Sequence, residues 1–196
     1  MKRGWTRFRA SVSAVLLGAA GTVAQTKSLG KPLKSARAAE SRFAGVLPGQ
    51  TTLERAKLLL GAPQEKDQAS GSARWSRCSD DLILETDPAG LIATVRATRH
   101  GGQQQPANCA EAPSATKWAT GKGLRLGDPA ARAVQLYGKP DSRSPSTKGG
   151  QRLELLYYAF DWAGPDVPKV MEVVCTVGQE GEPGRVVEIT LAASSL

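Results

Sequence analysis

The spacing of apolar positions changes along this chain in an ordered way. After Thr51 they fall at Leu53, Ala56, Leu59 and Leu60, one stripe of a short amphipathic helix. Thr51, with Glu54 three residues on, makes a capping-box pattern, and Gly61 followed by Pro63 stops the helix. A second phrase has the same form. Asp128 stands as a cap, Pro129 suits the first helical position, Ala130, Ala133, Val134 and Tyr137 make the stripe, and Gly138 and Pro140 end it. Thr51 and Asp128, Gly61 and Gly138, and Pro63 and Pro140 are each 77 residues apart. A shared offset in caps, closing glycines and prolines predicts a repeated backbone geometry.

After each helix the period falls to two, the signature of a strand with one packed face. The first set is Ser72 to Cys78, then Asp81 to Thr86 with Leu82 and Leu84 on one face, then Leu91 to Thr98 with Leu91, Ala93, Val95 and Ala97 on one face. The second is Gln151 to Trp162, then Lys169 to Val177 with Met171, Val173, Cys175 and Val177 together, then Arg185 to Leu191 with Val187, Ile189 and Leu191 alternating. The pattern predicts an α+β fold of two tandem repeats, each a short helix packed on a three-stranded antiparallel sheet. The two sheets can join into one continuous sheet. The repeats occupy residues 44–99 and 123–196, and residues 100–122, rich in Gly, Gln and Pro, read as a linker.

With 196 residues, 40% of them hydrophobic, the chain has ample volume for a core. Its first 24 residues belong to another category. Lys2, Arg3, Arg7 and Arg9 precede an uncharged run from Ala10 to Ala24, the order of a secretory signal peptide cut before Gln25. The run is shorter than the roughly 20 residues a bilayer core asks for, so cleavage is expected, with an uncleaved membrane anchor as the alternative. Export implies a periplasmic or secreted protein. Losing those four cations takes the formal charge from +8 to +4. Much of the remainder sits in residues 25–43, where Lys27, Lys31, Lys34, Arg37 and Arg42 face Glu40 alone, a composition suited to a flexible basic arm. Export disfavours nucleic acid as a partner. It leaves a protein partner, with a weak membrane or cell-wall contact open to the arm.

Three cysteines, Cys78, Cys109 and Cys175, allow three single disulfides. Cys78 with Cys109 is favoured, because both fall in or just after the first repeat, whereas Cys175 sits in a strand pattern as a small hydrophobe. No spacing here suits a metal, a cofactor or a phosphate. Asp80 and Asp81 read as turn residues, Asp161 and Asp166 as loop acids, Glu180 and Glu182 as a hairpin tip, and the single histidine, His100, as a loop residue. The chain is therefore expected to be no enzyme and to need no cofactor; a small enzyme whose site would join Asp161, Asp166 and His100 is kept as an alternative.

One segment exceeds what a one-sided strand needs. In Leu153 to Trp162 both alternating sets are apolar or aromatic: Leu156, Tyr158, Phe160 and Trp162 on one, Leu153, Leu155 and Tyr157 on the other. Either both faces are covered or one is an exposed patch of the kind that binds partners. The candidate binding surface is accordingly Trp75, Tyr157, Tyr158, Phe160 and Trp162.

The Gly49-Gln50-Thr51 entry, the short helix ending Leu59-Leu60-Gly61-Ala62-Pro63 and the aromatic-bearing strand that follows resemble the SmpA/OmlA (BamE-like) lipoproteins of outer-membrane barrel assembly. Tandem duplication of such a unit is similar to the β-lactamase inhibitory protein fold. The resemblance covers about Gly45 to Thr98 and Gly123 to Leu191, and it implies a cell-envelope assembly accessory or, alternatively, an inhibitor of a secreted enzyme. Gln25 and Thr26 follow the signal where the lipoproteins carry a lipid-bearing cysteine, so no lipid anchor is implied.

Overall fold

A computed structural model of the chain describes residues 37–67, 71–100, 118–178 and 184–194. The expected signal segment, the arm up to residue 36, most of the linker with Cys109, and Glu180 and Glu182 lie outside the described residues.

Both helices form where the stripes place them, but their caps differ from expectation. Helix α1 spans Leu53–Leu60, and its N-cap is Thr52, whose hydroxyl accepts from the Arg55 amide at 3.2 Å. Thr51 instead accepts from the Leu47 amide at 3.0 Å, fixing the turn before the helix. Helix α2 spans Ala130–Tyr137 with Pro129 at the cap position and no side-chain cap bond. Asp128 is turned back to the Arg125 amide at 3.0 Å. The closures are alike: Gly61 (φ 85°) and Gly138 (φ 81°) take a left-handed φ that side chains resist, and each donates its N–H one turn back, to Lys57 and Val134.

Among the described residues the strands are β1 (Glu65–Asp67), β2 (Ser72–Arg77), β3 (Asp80–Thr86), β4 (Ile92–Arg99), β5 (Ser142–Lys148), β6 (Gln151–Ala159), β7 (Val170–Thr176) and β8 (Val186–Ala192). They form one antiparallel sheet in the order β1-β2-β3-β4-β8-β7-β6-β5. The expectation of two helix-on-three-strand repeats is thus corrected. The described residues are mostly β, one eight-stranded sheet carrying two short α-helices. The pairing of β4 with β8, Thr94 to Thr98 against Glu188 to Ala192, removes any boundary between two sheets. Strands β1 and β5 escaped notice because each is an edge strand with every position exposed, and β5 carries Pro145, which an edge tolerates.

Two bulges alter the faces read from period-2 alternation. Pairing of β3 with β4 passes from Glu85↔Thr94 to Thr86↔Ile92, leaving Ala93 as the extra residue. Ile92 therefore joins Val95 and Ala97 in the core, in place of Leu91 and Ala93. Pairing of β7 with β8 passes from Val174↔Glu188 to Cys175↔Val186, so Val187 is the extra residue and Val186 packs inside with Ile189 and Leu191.

One face of the sheet holds the core. Trp75, Leu82, Leu84, Val95, Ala97, Leu156, Tyr158, Met171, Val173, Cys175, Ile189 and Leu191 meet Ala56 of α1 and Ala133 and Tyr137 of α2 there. The end of the expected arm and the end of the expected linker are part of this layer. Phe43 and Trp118 are core residues, and Glu40, 2% exposed, binds both segments to α2. Its carboxylate accepts from the Tyr137 hydroxyl at 2.7 Å and from the amides of Ser41, Arg42 and Lys122 at 2.8, 3.1 and 3.0 Å. Four donors satisfy a charge that burial would otherwise make costly. Arg37 continues the attachment, reaching Asp141 at 2.5 Å and the Lys139 carbonyl at 2.8 Å. No helix among the described residues is long and apolar enough to cross a membrane.

Candidate functional site

The expected binding aromatics do not come together on one exposed surface. Trp75, Tyr158 and Phe160 are core residues. The Trp75 indole N–H donates to the Gly61 carbonyl at 3.0 Å, tying β2 to the end of α1. Tyr158, 1% exposed, stacks between Tyr137 and Phe160, with ring centroids 5.8 and 6.5 Å away. Its hydroxyl is buried without a hydrogen-bond partner, and burial pushes its pKa up to about 12. Trp162 lies beyond the strand, in the 3-10 turn Asp161–Ala163; it is 54% exposed and donates to the Ala159 carbonyl at 3.1 Å. Of the four that lie on or next to a strand, Tyr157 alone faces away from the core, half-buried, opposite Glu172.

Tyr157 leads to the other face of the sheet. Cross-strand register places one continuous row there: Glu65, Arg74, Ile83, Arg96, Thr190, Glu172, Tyr157 and Ser142, one residue from each strand. A parallel row runs through Ser76, Asp81, Thr98, Glu188, Val174, Leu155 and Ser144. Neither described helix lies on this side, since α1 and α2 put their buried residues into the opposite layer. Ile83, Arg96, Glu172, Val174, Leu155 and Tyr157 all keep partial exposure.

This open face curls. Lys148 of β5 reaches Glu188 of β8 at 3.5 Å. Lys148 is four residues along β5 from Ser144, the residue in line with Glu188. In a flat sheet, three strand spacings and four residues of rise would part their Cα atoms by roughly 19 Å, more than the two side chains bridge. The β5–β6 hairpin therefore bends over the face opposite the helices and makes a trough of that end.

Most charges on the face are paired. Arg74 binds Asp81 and, at 3.3 Å, Glu65; Arg96 binds Glu85 at 3.3 Å; Lys148 holds Glu188. Burial alone would raise the Asp81 carboxyl, but hydrogen bonds from Arg74, His100 and Ser76 outweigh it and hold its pKa below the usual value. Glu172 differs: burial, then the nearby Glu188, raise its pKa, and it has no hydrogen bond or ion pair among the described residues. The residues that shape the trough were legible in principle. Once Met171, Val173 and Cys175 are read as one face of β7, Glu172 and Val174 must form the other.

The remaining chemical candidates are accounted for structurally. Asp80 and Asp81 are strand residues on opposite faces, not turn residues. Asp80 takes two bonds from Arg99 at 2.7 and 2.8 Å, while Asp81 accepts from Arg74 and contacts the His100 Nε2 at 2.5 Å. His100 is thus held by Asp81, and its recorded contact is with neither Asp161 nor Asp166. The Asp166 carbonyl accepts from Gln50 at 2.8 Å. No group of three or more potential metal ligands occurs among the described residues. A cavity of about 340 Å³ between Arg143, Pro145, Glu154 and Val177 lies at the β5 edge, and its two charges face each other at 3.4 Å. Cys78, in the β2–β3 turn, is disulfide-bonded, and Cys175 is a free, buried thiol raised by burial to about 12. Cys109, its expected partner, lies outside the described residues.

No family model matches the chain, and no curated protein matches it significantly. Among solved structures, a DUF4309 family protein from Bacillus subtilis is similar at 12% identity and a TM-score of 0.42, over 76% of this chain and 83% of that one. A cysteine-rich secretory protein from Staphylococcus aureus is similar at 13% identity and a TM-score of 0.40, over 81% of this chain and 48% of that one.

Proposed function

We propose that this chain is an exported, non-catalytic protein-binding module, a cell-envelope accessory that engages its partner through the open face of the sheet. One observation carries the reading: a face spanning eight strands keeps apolar side chains, Ile83, Val174, Leu155 and Tyr157, partly exposed while the described helices gather on the other side. A large, partly apolar surface with charged neighbours suits a protein partner. Export is supported by the signal-like order of residues 1–24, and the mass of the secreted chain checks the cut after Ala24. The disulfide at Cys78 accords with an oxidising compartment. A secreted enzyme inhibited by this chain is one form such a partner can take.

The test compares partners captured from an envelope extract by wild type, by Leu155→Asp on the open face and by Leu58→Asp on the exposed side of α1. Loss of a specific partner with Leu155→Asp alone supports the reading. Identical partner sets for all three folded proteins contradict it. Tyr158→Ala is unsuitable, because Tyr158 belongs to the core.

A further inference from the structure

We propose that the open face recognises its partner through a basic side chain, a lysine or arginine of that protein seated against Glu172 and Tyr157. The inference rests on the open face being the binding surface, and it names what that surface selects. Tyr157, Glu172 and Thr190 stand directly opposite one another on β6, β7 and β8, inside the sheet and not at an edge. Residues so placed have Cβ atoms about 5 Å apart, close enough for one incoming group to touch both carboxylate and ring.

Charge complementarity identifies the group. Arg74, Arg96 and Glu188 are each ion-paired within the face, whereas Glu172 is half-buried and has no hydrogen bond or ion pair among the described residues. Its charged form is disfavoured by partial burial and by Glu188, and the opposite charge of a cation docked beside it offsets both. The Tyr157 ring adds an aromatic wall of the kind that attracts ammonium and guanidinium groups. Leu155 and Val174, in the next row on the same strands, offer apolar contact to the stem and flanking residues of a polypeptide. A divalent metal is a poorer occupant, because it requires several oxygen ligands and no such cluster occurs among the described residues.

The experiment is a selection from a random peptide library displayed on phage, run in parallel on wild type, Glu172→Gln, Leu155→Asp and Tyr157→Ser. Thermal melting confirms that each variant folds, and the isosteric Glu172→Gln leaves the shape of the face intact. Peptides that lose binding to Leu155→Asp and Tyr157→Ser are face binders. The expected result is that these carry a lysine or arginine and weaken on the order of tenfold on Glu172→Gln. Replacing their basic residue with norleucine should weaken them on wild type and have no further effect on Glu172→Gln. Face binders with no basic preference, or indifferent to Glu172→Gln, overturn the inference and leave the binding reading standing. If every recovered peptide ignores Leu155→Asp and Tyr157→Ser, or none is recovered, both the reading and the inference are overturned.

Discussion

The two faces of this sheet are built from neighbouring residues of the same strands, yet they obey different rules. On the covered face, Tyr158, Met171 and Leu191 lie in line and are buried under helices and loops. One residue away along each strand, Tyr157, Glu172 and Thr190 make the corresponding row on the open face, with Thr190 itself 5% exposed between its larger neighbours. The covered row contains no charge, whereas the open row has, between a tyrosine and a threonine, a carboxylate with no ion pair among the described residues. Burial decides the composition of the first. The second carries a carboxylate whose charged form is disfavoured by partial burial and by Glu188.

The contrast breaks most severely at Glu40. Glu40→Ala leaves a buried tyrosine hydroxyl and three amides without their acceptor and releases Arg37–Phe43 from α2. A loss of about 3–5 kcal/mol is expected, read by urea unfolding. Tyr158→Ala opens a cavity in the same layer and should cost about 3–5 kcal/mol, while Tyr157→Ala, one residue away, should cost less than about 1 kcal/mol. Equal losses for the two tyrosines would erase the distinction between faces.

The smallest effect has the opposite sign. The folded pKa of Glu172 is raised by burial and by Glu188, so the folded chain holds that proton more tightly than the unfolded chain does. Stability contributed by this group is present below the unfolded carboxylate value, near pH 4.3, and falls as pH rises through the raised folded value. Glu172→Gln should therefore increase the melting midpoint at neutral pH by about 1–2 °C, with the gain vanishing below about pH 4. A lower midpoint at pH 7 would show that the carboxylate is a stabilising partner of something on the face.

The helices were readable because their punctuation is local. Gly61 and Gly138 close α1 and α2 where the sequence places them, and the stripes around Ala56 and Ala133 find the core. Six strands were likewise visible from alternation. The edge strands were not, since Glu65–Asp67 and Ser142–Lys148 bury nothing and leave no apolar signal. The single sheet depends on Thr94–Thr98 meeting Glu188–Ala192, a pairing that no local pattern encodes. Bulges at Ala93 and Val187 shifted the phase of two strands for the same reason: a bulge is a property of a pair of strands. The aromatic segment stands out in the sequence, and the structure divides its residues between the two faces. Alternation sends Tyr158 inward and Tyr157 outward, a bend at Phe160 carries Trp162 off the strand, and the proposed site lies among the polar and apolar residues facing Tyr157.

The most direct measurement is residue-resolved oxidative footprinting of Tyr157 and Tyr158 by mass spectrometry on the folded full chain. The open-face account predicts labelling at Tyr157 with Tyr158 protected until the protein unfolds. Equal labelling of both, or protection of Tyr157 with labelling of Tyr158, would contradict it.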